Sequence, residues 1–144
     1  MVAVSGGSMS ESVNILNCPC GRKAGSKYAS YLECCGRYIE SAGQKGAPDA
    51  ESLMRSRYSA YALQKINYLL NTWAVETRPT ELDSESDLKW LGLTVKSCQQ
   101  QFPDRATVEF VAQYRHKGKG GRLRELSHFV YRAGQWFYVD GVTN

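Results

Sequence analysis

The chain has 144 residues and a formal net charge of +4, a length suited to one compact domain plus a small accessory motif. The charge is too weak to specify nucleic acid without a clustered basic patch. No run of ~18 apolar residues occurs and no basic leader precedes an apolar stretch, so neither a spanning helix nor a secretory signal is expected and the chain reads as cytoplasmic.

Residues 1–16, with Ser5-Gly6-Gly7-Ser8 ahead of Met9, read as a disordered leader. Residues 17–40 hold four of the five cysteines: Cys18-Pro19-Cys20-Gly21, then thirteen residues, then Cys34-Cys35-Gly36. In a reducing compartment disulfides are rare, and neighbouring cysteines seldom satisfy disulfide geometry. Free buried thiols and a redox pair are weaker alternatives, since thioredoxin-type spacing is absent. Two tight pairs of thiolates suit a tetrahedral zinc ion. Four protein ligands would leave no open position, so the expected zinc is structural and not catalytic.

Residues 41–48 are small and flexible and read as a linker. Asp49, after Pro48, is a plausible N-cap. Leu53, Met54, Arg57, Tyr58, Tyr61 and Ala62 then recur at helical spacing. A second helix is expected from about Ile66 to Trp73. Residues 76–84 are polar and contain Pro79, which predicts a loop. A short helix capped by Asp83 or Ser84 is expected to carry Leu88 and Trp90. From Leu91 the period becomes two: Leu91, Leu93 and Val95 alternate with Gly92, Thr94 and Lys96. Phe102-Pro103-Asp104 is a turn, and Val108, Phe110, Ala112 and Tyr114 share one face of a second strand. Lys117 to Gly121 predicts a hairpin loop, residues 123–132 a third strand, Ala133-Gly134 a tight turn and residues 135–140 a last strand. Helices first and an antiparallel meander second define an α+β fold over residues 49–144.

The residues carry two resemblances. Cys18-Pro-Cys-Gly21 and Tyr31-Leu-Glu-Cys34-Cys35-Gly36 resemble the SEC-C motif, the zinc-binding tail of the SecA translocase. There the last ligand is His where this chain has Cys35. The stretch between the pairs is longer than usual, so Ala29-Ser30-Tyr31 look inserted. The helix Leu53-Met-Arg-Ser-Arg-Tyr-Ser-Ala-Tyr-Ala62, with Trp90-Leu-Gly-Leu93 and Gly134-Gln-Trp-Phe-Tyr-Val-Asp-Gly141, resembles the YchJ-like family of bacterial proteins, which has no assigned activity. That resemblance implies a nuclear transport factor two-like (NTF2-like) fold, a curved antiparallel sheet wrapped around helices as a cone with an internal pocket.

In the third strand Leu123, Glu125, Ser127, Phe129 and Tyr131 share one face, and His128 lies on the other. The expected pocket residues are Arg57, Tyr58, Tyr61, Trp90, Glu125, Ser127 and Phe129. A buried carboxylate there is a general-base candidate, with Arg57 or Tyr58 as partner. The plainer reading pairs Glu125 with an arginine of the first helix. His128 is read as a lone histidine without a partner, Cys98 as a small buried hydrophobe, and Trp73, Trp90 and Trp136 as core.

Two functions stay open. One is a non-enzymatic adaptor whose zinc knuckle meets a protein partner, with nucleic acid a weaker possibility. The other is a small-ligand binder or enzyme of isomerase, dehydratase or hydrolase type, which rests on analogy of fold.

Overall fold

The computed structural model describes residues 16–83 and 86–143. The expected leader, Leu16 apart, and the candidate cap Ser84 lie outside the described residues. In chain order come strands β1 (Lys23–Ala24) and β2 (Lys27–Tyr28) and helices α1 (Gly36–Ile39), α2 (Ala50–Leu63) and α3 (Ile66–Asn71). Strands β3 (Leu88–Phe102), β4 (Arg105–His116), β5 (Lys119–Arg132) and β6 (Gln135–Thr143) follow. The α+β order read from the periodicities holds. β3 to β6 form one antiparallel meander in sequence order.

Helix α2 starts where its cap predicts, with Ser52 N–H donating to Asp49 Oδ1 at 2.7 Å. Its buried residues do not form a single stripe. Ser52, Leu53, Met54, Ser56, Arg57, Tyr58, Ser59 and Ala60 are all buried, because the cysteine-rich segment covers one side and the sheet another. Leu53 and Leu69, each about 1% exposed or less, lie in the range where a buried leucine stabilises by about 1.5–3 kcal/mol.

α3 stops at Asn71, short of the expected Trp73. The chain there turns extended and bridges β6: Tyr138 N–H donates to Thr72 O and Ala74 N–H to Tyr138 O, each at 2.8 Å. This bridge covers part of a sheet edge that would otherwise expose unpaired backbone groups.

Leu88 and Trp90 belong to β3, not to a short helix, and pair with His116 and Tyr114. β3 carries register shifts at Trp90/Gly92, Val95/Ser97 and Gln100/Phe102. Each such bulge bends the strand and resets which face a residue takes. That explains why Leu91 is exposed although its alternation with Leu93 suggested burial. The last two hairpins turn on Lys117-Gly118 (φ 52° and 83°) and Ala133-Gly134 (51° and 79°). Two left-handed residues in succession match the twist of the flanking strands. The expected loop to Gly121 is thus shorter, because Lys119–Gly121 pair with β4. Gly121 is needed in the ladder itself: a Cβ there would stand 2.5 Å from Cζ of Tyr114, whose ring lies across it.

The core is one cluster. Cys18, Cys20, Tyr31, Cys34 and Cys35 pack into it together with Leu53, Met54, Tyr58, Val108, Phe129 and Trp136. Ala47, within the expected linker, is buried in it too.

Candidate metal centre and cavity

Cys18 and Cys20 sit on a turn closed by Gly21 N–H donating to Cys18 O at 3.1 Å. Gly21 has φ +75°, a conformation that glycine adopts without a Cβ penalty. Cys18 N–H donates to Ala29 O at 2.8 Å, and Tyr31 N–H to Leu16 O at 2.8 Å. Tyr31 is fully buried. Its carbonyl accepts from Cys34 N–H at 3.0 Å and from Gly36 N–H at 2.7 Å. Its hydroxyl donates to Glu40 at 2.7 Å, and Glu40 pairs with Lys65 at 3.0 Å. The residues that look inserted therefore build the turn that presents the second cysteine pair.

The four sulfurs are buried and lie within 4.8 Å of one another. A tetrahedral ion with metal–sulfur bonds near ~2.3 Å separates its ligands by about 3.8 Å, and Cys20 Sγ stands 3.7 Å from Cys34 Sγ. The donor set fits a metal ion. Thiols this close cannot all ionise unaided. Hydrogen bonds from Cys20, Cys34 and Cys35 pull the Cys18 thiol far below its ordinary range. Cys20 comes down to about 7, opposed by Cys18 and favoured by Cys34 and Cys35. Cys34 and Cys35 are pushed up, chiefly by Cys18 and Cys20. A bound cation is what would let four thiolates coexist.

Helix α2 supplies the next layer. Ser59 Oγ lies 3.5 Å from Cys18 Sγ, and Arg55 donates to Cys20 O at 3.1 Å. Glu51 accepts from Arg55 at 2.9 Å and from Arg22 at 3.2 Å. Burial opposes its charge, yet these arginines hold its carboxyl below the ordinary range. Nothing in the sequence placed Ser59 near sulfur; it was hidden because the contact spans 41 residues.

On the opposite side of α2 lies a cavity of about 150 Å³. Arg57, Tyr58 and Tyr61 of the helix line it, with Trp90 of β3 and Glu125, Ser127 and Phe129 of β5. All seven expected pocket residues thus meet. Met54, Phe110, Leu123 and Tyr138 also contribute and were not expected there. Tyr58 meets Trp90 edge-on with ring centroids 5.9 Å apart.

The expected Glu125–arginine pair does not form. Arg57 Nη1 donates to Leu69 O at 2.7 Å and to Thr72 Oγ1 at 2.8 Å. The carbonyl of Leu69 is one of those left open at the end of α3, so it claims the guanidinium. That group also lies 4.8 Å and 4.5 Å from the ring centroids of Trp73 and Tyr138. Glu125 instead accepts from Ser127 Oγ at 2.6 Å and from Tyr138 Oη at 3.3 Å. Burial, followed by the charge of Glu125, raises the Tyr138 hydroxyl's pKa well above its ordinary range.

Other expectations are corrected. His128 has a carboxylate partner, Asp140, at 2.7 Å on the exposed side of the sheet. Cys98 is exposed and reaches Glu51 at 3.4 Å; partial burial and that carboxylate push it up to about 11. Trp136 is core, and Trp90 packs against that core while also lining the cavity, so both readings of it hold. No helix among the described residues is long and apolar enough to cross a membrane.

The fold and site define an NTF2-like domain carrying a SEC-C-type cysteine cluster. The family model for YchJ, middle NTF2-like domain, matches residues 49–141, and the chain belongs to that family. A UPF0225 protein of Bordetella pertussis is 54% identical over 125 residues, covering 86% of this chain and 90% of the relative. A UPF0225 protein of a Polaromonas species is 48% identical, covering 88% and 92%. Among solved structures, a SEC-C motif containing protein from Rhodopseudomonas palustris matches with TM-score 0.75 and 31% identity, over 90% of this chain and 99% of that one. A SEC-C motif containing protein from Psychrobacter arcticus gives TM-score 0.75 and 28% identity, over 92% and 85%.

Proposed function

We propose that the chain is a cytoplasmic, non-enzymatic interaction module in which Cys18, Cys20, Cys34 and Cys35 hold one structural zinc ion. The carrying observation is the donor set: four buried sulfurs drawn together, one ligand atom each. A complete tetrahedron leaves no position for a substrate or an activated water. Zinc suits four thiolates better than the oxygen-seeking cations do. The arrangement of helices within a cone-shaped sheet belongs to the same reading.

The surface offered to a protein partner is the tip of the β1–β2 hairpin. Lys23, Lys27 and Tyr28 are exposed there, and Lys23 Nζ lies 5.2 Å from the Tyr28 ring centroid. Zinc fixes the base of this hairpin and so its orientation. Elemental analysis of the purified chain should find one zinc per molecule, and none in a Cys18→Ser, Cys20→Ser variant. Zinc retained by that variant overturns the ligand assignment. In extract, the native chain should capture a protein that a Lys23→Ala, Lys27→Ala, Tyr28→Ala variant loses at unchanged zinc content. Equal capture by both would remove the hairpin tip as the contact.

A further inference from the structure

We infer that the cavity between α2 and the sheet holds one small zwitterion, a free amino acid with an aliphatic side chain, its carboxylate on Arg57 and its ammonium on Glu125. This goes beyond the interaction role, which needs no ligand.

The first support is Arg57. Its side chain is buried, the residue being 5% exposed, and it lines the cavity. Its bonds to Leu69 and Thr72 both leave from Nη1, and the Tyr61 hydroxyl, which lines the same cavity, lies within reach of the guanidinium. A guanidinium carries five donors in a rigid fork, so Leu69, Thr72 and Tyr61 leave part of the fork to a carboxylate, the strongest planar acceptor available to it. The bonds to Leu69 and Thr72 keep the fork in place before anything binds.

Glu125 is the complementary half. Ser127 and Tyr138 both donate to Oε2, while Oε1 accepts no bond among the described residues. Gly141, paired with Ser127 across the sheet, makes this placement possible: a Cβ on Gly141 would overlap the Glu125 carboxylate. Arg57 and Glu125 both touch Tyr138, one over its ring and one at its hydroxyl, yet they form no ion pair with each other. The cavity thus holds a separated positive and negative group, each fixed by other partners.

That separation selects the ligand. A simple anion on Arg57 would sit beside the Glu125 carboxylate, and a simple cation on Glu125 beside the guanidinium; like charges at short range against a largely apolar wall are costly. A zwitterion meets both groups with the right sign. The remaining wall is apolar, with Met54, Trp90, Phe110, Leu123 and Phe129. The volume of about 150 Å³ equals about five waters at ~30 Å³ each, below the ~300–1,000 Å³ of sites for larger ligands.

The test is calorimetric titration of the full, zinc-loaded chain with three probes of matched shape: L-leucine, 4-methylpentanoate, which lacks the ammonium, and 3-methylbutylamine, which lacks the carboxylate. Leucine should bind at least about 10-fold more tightly than either one-headed probe, the scale of one charge-assisted hydrogen bond. Glu125→Gln keeps the shape and removes the charge. It should weaken leucine about 10-fold or more, strengthen 4-methylpentanoate, and leave the melting temperature and zinc content unchanged. No leucine binding up to about 10 mM would overturn the inference, as would equal binding of leucine and 4-methylpentanoate. Neither result bears on the zinc centre, so its proposed role is judged separately.

Discussion

Gly36 lies so close to Tyr31 that a Cβ on it would stand 2.7 Å from the Tyr31 carbonyl oxygen and 2.9 Å from the ring. The same oxygen accepts the Gly36 N–H at 2.7 Å. The turn that aims Cys34 and Cys35 therefore closes directly onto a fully buried tyrosine. Gly36→Ala should push this turn outward. Overpacking of this kind costs about 1–3 kcal/mol, and the zinc content should fall with it. Denaturant unfolding paired with metal analysis checks both; an unchanged midpoint would mean the turn has slack.

Ser59 places a hydroxyl 3.5 Å from Cys18 Sγ. With Cys18 ionised for metal binding, that hydroxyl becomes the donor and steadies the ligand. Removing a partner of this kind typically weakens metal affinity about 10–100-fold. Competition with a chromophoric chelator should place Ser59→Ala at the lower end of that range, because a 3.5 Å contact to sulfur is weak. Affinity equal to the native chain would relegate Ser59 to packing.

How legible all this was depends on how local each signal is. The Asp49 cap and the Ala133-Gly134 turn each lie within a few residues of chain, the cysteines form two tight pairs within one short segment, and the structure places all three as expected. The face of β5 carrying Glu125, Ser127 and Phe129 followed from strict alternation and also holds. Trp90 was misassigned to a helix because the bulges of β3 destroy the period on which strand recognition depends. Arg57 and Glu125 were each placed in the pocket, but not their partners. Leu69 is 12 residues from Arg57, and Tyr138 is 13 from Glu125. Only the docking of α3 and β6 reveals which acceptor wins. His128 and Asp140 met for the same reason, through pairing of β5 with β6.

Tyr58 and Tyr68 set an alkaline limit on stability. Burial raises both hydroxyls to about 12, against Gly92 and Ser56 contacts that pull the other way. A group whose folded pKa lies above its unfolded value binds its proton more tightly when folded. Its contribution is thus complete below pH ~10 and is lost as pH rises towards about 12. Unfolding midpoints should stay free of this tyrosine contribution's decline up to pH ~10 and then fall. Tyr68→Phe should flatten that fall while losing the 2.6 Å bond to Ser56. A slope identical to the native chain's would show that Tyr68 ionises no later in the folded state than in the unfolded one.

Removing the metal should melt more than the knuckle. Cys18, Cys20, Cys34 and Cys35 share a core cluster with Leu53, Met54, Tyr58 and Trp136, and α2 is buried partly by the segment that carries these cysteines. Structural zinc contributes an apparent ~10–16 kcal/mol in small sites, as large as the ~5–15 kcal/mol that hold an ordinary domain together. Stripped of metal, the four sulfurs must reprotonate or repel, and the face of α2 carrying Ser52 and Ser59 loses its cover. Chelation should therefore lower a single cooperative melting transition of the whole body, read by near-ultraviolet circular dichroism of Trp90 and Trp136, and added zinc should restore it. Two separate transitions, with the sheet signal unmoved by the chelator, would show that the cysteine segment folds as an independent appendage and that α2 keeps its position without it.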